Sequence, residues 1–104
     1  MATLSTPITV GALPLTNRLV LAPLTRLRND AGGVPPPFAA EYYAQRANPG
    51  GLLISEGTFV AAEAGGAAGA PGIYTPEQIA SWKRVTDAVH AKGAYIFCQL
   101  WALG

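Results

Sequence analysis

The sequence predicts an α/β protein built on a parallel sheet, and three observations carry the prediction. Three short apolar runs, at 19–22, 52–55 and 94–101, have the length of buried strands. The two gaps between them each hold a segment with helical patterning. Each run also turns polar or small at its C-terminal end, as Leu21-Ala22-Pro23-Leu24-Thr25-Arg26, Ile54-Ser55-Glu56-Gly57 and Phe97-Cys98-Gln99-Leu100-Trp101. Strands joined by helices run parallel with right-handed crossovers. In such folds ligands sit beyond the C-terminal strand ends. Three ends that change character together predict one site at one rim.

The first element is a short hairpin or extended lead-in at 7–18, where Ile8 and Val10 alternate with smaller or polar residues and Gly11-Ala12 permits a turn. It is too short for a core of its own and is expected to cover one end of the later strands. The first apolar run follows. Pro23, which cannot donate to a sheet ladder, suits its end. A loop with Asn29-Asp30 and Gly32-Gly33 leads to Pro35-Pro36-Pro37 and a helix over 38–47, because proline is at home in a first helical turn. Phe38 and Tyr42 share one face of it, and Asn48-Pro49-Gly50-Gly51 ends it.

The second run, 52–55, opens into a loop over 58–74 rich in alanine and glycine. Gly65-Gly66-Ala67-Ala68-Gly69 is not a phosphate loop, since Pro71-Gly72 follows where a helix should start and the lysine is missing. A mobile surface loop is the expectation. The second helix has the clearest signature: Thr75 as N-cap, Pro76 at the first helical position and Gln78 completing a capping box. Ile79, Trp82, Val85 and Val89 recur at helical spacing as an apolar stripe, Arg84 and Asp87 face solvent, and Gly93 suits the left-handed residue past the end. The third run reads as one strand with Tyr95, Phe97, Gln99 and Trp101 on one face, which turns Cys98 away as a small buried residue. His90 reads as a packing or surface residue of the outer helix.

Composition excludes several function classes. A formal net charge of +1 points to neither nucleic acid nor an acidic membrane surface. A single cysteine excludes an intrachain disulfide, and no Cys/His cluster offers a metal site. No apolar run approaches the roughly 18 residues of a membrane span, and the first residues lack the pattern of a secretion signal, so a reducing cytoplasmic setting is expected.

The order hairpin, β, α, β, α, β fits two architectures: part of a doubly wound sheet, or the first three strands of a (β/α)₈ barrel. Either leaves strand edges open, and in a barrel Tyr95, Phe97 and Trp101 would face water. Leaving such side chains unburied forfeits roughly 1.5–3 kcal/mol each, comparable to the whole stability of a small domain. A complete barrel takes about 250 residues. The 104 residues are therefore expected to be an N-terminal fragment, or to need a partner that supplies the rest.

Read together, the strand ends resemble the Old Yellow Enzyme family of FMN-dependent NAD(P)H oxidoreductases on a (β/α)₈ TIM barrel. The matching stretches are Asn17-Arg18, Ala22-Pro23-Leu24-Thr25-Arg26, Glu41-Tyr42-Tyr43-Ala44-Gln45-Arg46-Ala47, Ile54-Ser55-Glu56-Gly57, Pro71-Gly72-Ile73-Tyr74 and Gln99-Leu100-Trp101, in family order over nearly the whole chain. The ending Gln-Leu-Trp-Ala-Leu-Gly is most similar to fungal members. The resemblance selects the barrel, with residues 1–104 as the N-terminal part of a single FMN-binding domain.

It also implies roles. Pro23, Leu24 and Thr25 would line the flavin, the Thr25 hydroxyl reaching its O4 position. Gly57 would let the backbone approach the flavin edge, and the Gln99 amide would meet the pyrimidine edge with a donor and an acceptor. Phe59 and Trp101 would wall a pocket for a small enone-like substrate. NAD(P)H would be the hydride donor. No catalytic residue is implied within these residues, because the family's substrate-holding His/Asn or His/His pair and proton-donating tyrosine fall later. Position 67 is alanine where some members carry a tyrosine toward the pocket. The alternative expectation is a non-catalytic truncated or split-barrel piece, inactive alone, that associates with a complementary chain or a second copy of itself.

Overall fold

The computed structural model describes residues 1–104. The lead-in is a hairpin, β1 (Ile8–Val10) and β2 (Leu13–Leu15), with Ile8 opposite Leu15 and Val10 opposite Leu13. Its stalk is fastened where the second apolar run begins: the Thr16 hydroxyl donates to the Pro49 carbonyl at 2.7 Å and Asn17 Nδ2 donates to Asn48 Oδ1 at 2.8 Å. The hairpin thus covers the N-terminal end of the sheet, opposite the rim where the site was expected.

Three strands form the parallel sheet: β3 (Val20–Leu21), β4 (Leu52–Ile54) and β6 (Tyr95–Phe97), in the order β3-β4-β6. Val20, Leu52 and Tyr95 stand in one row, Leu21, Leu53 and Ile96 in the next. Alternation sends the second row toward the helices α1 (Pro37–Arg46) and α2 (Pro76–Ala91). There Leu53 joins Ala39, Tyr43, Trp82, Val85, Val89 and Ala94 in a single core, with Leu21 and Ile96 packed against it. The opposite face is covered less: Leu52 is buried, but Val20 and Phe97 remain 43% and 49% exposed. This one-sided burial is the organisation of the wall of a larger sheet.

Helix α2 begins as the sequence predicts. The Thr75 hydroxyl accepts from the Gln78 N–H at 3.2 Å, and Gln78 Oε1 accepts from the Thr75 N–H at 3.0 Å. Gly93, past its end, takes a φ of 74°. Its buried face differs from the expected stripe. Trp82, Val85 and Val89 are buried, but Ile79 is 52% exposed and Gln78 and Ser81 replace it inside. Hydrogen bonds set this rotation: Gln78 Nε2 donates to the Gly32 carbonyl at 2.9 Å and Ser81 Oγ to the Pro35 carbonyl at 2.6 Å.

Three further expectations are corrected. The segment after β4 is not only loop: Thr58–Phe59 forms β5, paired in parallel with β7 (Leu100–Trp101), and a 3₁₀ turn spans Ala62–Ala64. The third apolar run is accordingly two strands, β6 and β7, interrupted at Cys98 and Gln99. The interruption has a tertiary cause, since the Gln99 N–H donates to Ser55 Oγ at 3.1 Å and not to a backbone carbonyl. Cys98 is exposed, because it follows the edge strand of the sheet at this break.

Candidate functional site

Because β3, β4 and β6 are parallel, the segments that follow them emerge at one rim. Pro23-Leu24-Thr25 leaves β3, Ser55-Glu56-Gly57 leaves β4 and Cys98-Gln99 leaves β6. Pro23, Thr25 and Gln99 are exposed there and Leu24 is 51% exposed. The rim therefore combines an apolar ledge with a hydroxyl and a primary amide.

The second and third exits are stitched together through main chain and serine. The Ser55 N–H donates to the Phe97 carbonyl at 2.8 Å, and the Thr58 N–H donates to the Gln99 carbonyl at 2.9 Å. Ser55 Oγ and Thr58 Oγ1 both donate to the Glu56 carbonyl, at 2.9 and 2.8 Å. These bonds place the Gln99 backbone against the exit of β4 while its side chain stays free at the rim.

Phe59 and Trp101, each expected as a pocket wall, are brought together. They are register partners in β5 and β7, and their rings stack with centroids 4.9 Å apart and planes 21° from parallel. Trp101 also explains the glycine at 57, since a Cβ there would lie 2.7 Å from Trp101 Cε3. Gly57 therefore permits a close approach of the indole. Beside Phe59 opens a cavity of about 330 Å³ lined by Asp30, Gly33, Ala67, Gly72 and Tyr74 among others, so the alanine at 67 borders open space.

Sequence reasoning missed a charged cluster behind the rim. Arg26 Nη2 pairs with the Glu56 carboxylate and also donates to the Tyr43 hydroxyl at 3.3 Å. The Glu56 N–H donates to the same hydroxyl at 3.0 Å. The Arg26 guanidinium lies 3.7 Å above the Tyr42 ring, and Arg46 lies 3.8 Å from that ring's centre. Burial raises the Tyr43 phenol above its ordinary range, partly opposed by the Glu56 N–H and the Arg26 charge. One signal was available: an acid directly following an apolar strand is costly to bury unpaired, so Glu56 called for a cation.

A flavin has an apolar ring face and an edge of alternating donors and acceptors. An apolar ledge at Leu24, the Thr25 hydroxyl and the Gln99 amide at one rim offer matching chemistry, and the residues present fit such a group.

Comparison with known proteins is consistent with this geometry. The sequence model of the NADH:flavin oxidoreductase / NADH oxidase family matches residues 3–104. The chain is 57% identical over 105 residues to the NADP-dependent oxidoreductase lnbE of Aspergillus flavus, covering 100% of this chain and 28% of that protein. It is 58% identical over 105 residues to the chanoclavine-I aldehyde reductase fgaOx3 of Penicillium roqueforti, again covering 100% of this chain and 28% of the relative. The crystal structure of Old Yellow Enzyme from Pichia sp. AKU4542 superposes with a TM-score of 0.92 at 47% identity, covering 97% of this chain and 26% of that one. The sheet with one bare face is thus the wall of a TIM barrel, and the chain spans about a quarter of the length of these relatives. On sequence and fold together, the chain belongs to the NADH:flavin oxidoreductase / NADH oxidase family.

Proposed function

We propose that residues 1–104 are the N-terminal part of a single FMN-binding (β/α)₈ domain and supply one side of its flavin site. The observation that carries the reading is the shared rim: Thr25 and Gln99, on two different strand exits, are both exposed beside the Leu24 ledge. Pro23, Leu24 and Thr25 would hold the ring face and its O4 position, Gln99 the pyrimidine edge. Gly57 contributes by letting Trp101 seat, and Phe59 with Trp101 would border the substrate. When bound, FMN supplies hydride transfer from NAD(P)H to an activated, enone-like alkene. The chain's own part is to orient the ring, to offer hydrogen bonds where charge develops and to keep water from one side. The likeness to the NADP-dependent oxidoreductase lnbE supports a nicotinamide donor. No helix is long and apolar enough to cross a membrane, and the cytoplasm is the proposed setting.

The test is flavin retention by the protein that carries this segment at the length of its relatives. Stoichiometric FMN after desalting is expected, and Thr25→Ala and Gln99→Leu should each weaken it. Retention that neither substitution alters would sink the reading.

The exposed Val20 and Phe97 on the bare sheet face favour one second reading. In it these residues act as a non-catalytic or split-barrel piece that pairs with a complementary chain or a second copy. The isolated segment is expected to bind FMN weakly and to turn nothing over. Co-purification with a chain that completes the barrel would favour this reading, and a monodisperse, well-folded monomer would remove it.

A further inference from the structure

We infer that Arg26 is the positioning residue for the Thr25 ledge: it locks the exit of β3 to the exit of β4 through Glu56, and so fixes where the Thr25 hydroxyl and the Leu24 side chain stand. The inference rests on the flavin reading for the ligand it serves, but not for its geometry.

The main chain does not dictate the path of this segment. No backbone group of residues 22–28 bonds to another backbone group, so the ladder that holds β3 ends at Leu21. Leu27 adopts a φ of 58°, the one non-glycine residue in the left-handed region. Such a conformation persists only where surrounding contacts over-determine it.

The Arg26 side chain ties down the residues just before it. Its Nε donates to the Leu24 carbonyl at 3.3 Å, its Nη2 reaches Glu56 and the Tyr43 hydroxyl, and its plane lies over Tyr42. The anchor at the far end is fixed. The Glu56 side chain is 3% exposed, and its Oε2 is buried with no partner, so Arg26 is the one group compensating that carboxylate. A buried carboxylate with a single cation does not release it readily. Tyr43, accepting from both Arg26 and the Glu56 N–H, ties the pair to α1. One planar fork thus holds Leu24, Glu56 and Tyr43 in register, which a lysine, as a point charge, cannot do.

The decisive variant is Arg26→Lys, which keeps the charge on Glu56 but removes the fork. Backbone ¹⁵N order parameters in the whole flavoprotein, with and without FMN, read the position of the segment directly. In the unsubstituted protein Leu24, Thr25 and Leu27 should sit near about 0.85, and Arg26→Lys should lower them toward about 0.6 while α2 keeps its values. FMN affinity should fall on the order of tenfold, and adding Thr25→Ala to Arg26→Lys should weaken it little further, because the two act through one hydroxyl. The double variant Arg26→Met with Glu56→Gln leaves no charge orphaned and should give the same local loosening, should Arg26→Lys not fold. Unchanged order parameters at 24–27, or a drop shared by α2, would overturn the inference. Loosening at 24–27 with FMN binding indifferent to both Thr25 and Arg26 would uphold the positioning role and overturn the flavin reading.

Discussion

The Trp101 indole occupies the space that a side chain on Gly57 would need: a Cβ there would lie 2.7 Å from Trp101 Cε3. The same indole stacks on Phe59, so the exit of β4, strand β5 and strand β7 meet at one aromatic contact. Gly57→Ala is therefore an overpacking substitution, expected to cost about 1–3 kcal/mol. Urea unfolding followed by tryptophan fluorescence checks it. The native spectrum should change through Trp101, since Trp82 is buried in the core with its Nε1–H on the Gly72 carbonyl.

Tyr43 makes stability depend on alkaline pH. Burial raises its phenol above the ordinary 10.0, so the folded chain holds this proton where the unfolded chain has lost it. Folded protein then binds more protons, and its stability falls as pH rises above about 10, while below that value the contribution is complete. Absorbance titration at alkaline pH should show one late-ionising tyrosine that is missing in Tyr43→Phe. That variant should also lose about 1–3 kcal/mol at neutral pH, because the buried Glu56 N–H is left without its acceptor.

The start of α2 separates a local cap from a tertiary bridge. Thr75→Ala removes one acceptor from the first turn and should cost about 1 kcal/mol. Gln78→Ala should cost more, since the Tyr74 N–H, the Thr75 N–H and the Gly32 carbonyl all lose a partner. Thermal unfolding of the two variants side by side decides the order. Equal losses would mean that the bridge to Gly32 contributes nothing.

The rotation of α2 has its own test. Leu53→Ala, at a core position 1% exposed, should destabilise by about 2–5 kcal/mol. Ile79→Ala, at a position 52% exposed, should stay within about 0.5 kcal/mol. A large loss at Ile79 in denaturant titrations would restore the stripe that hydrophobic periodicity suggests.

Much of the fold was legible because it is written in local chemistry. The capping box at Thr75 and Gln78, the hairpin before Thr16 and the strands beginning at Leu52 and Tyr95 each follow from neighbours a few residues apart. The shared rim was legible too, because helix-linked strands must be parallel and their exits must then lie together. The split of the last strand was not, since it depends on Ser55, 44 residues away, accepting the Gln99 N–H. The inward turn of Gln78 and Ser81 escaped for the same reason: their partners are carbonyls on a loop 46 residues earlier.

The order of elements, the helix starts, the parallel sheet and the residues at its C-terminal exits all follow from the amino-acid sequence alone. Those properties rest on dihedral preference and periodicity, which act over one or two turns of chain. The room that Gly57 makes for Trp101, the outward face of Ile79 and the cluster of Arg26, Glu56 and Tyr43 behind Thr25 emerge only in the folded chain. Each of these is a pairing of groups far apart in sequence. What selects such a pairing is the cost of leaving a buried charge, amide or ring without its partner, and that cost exists only once the chain has closed around it.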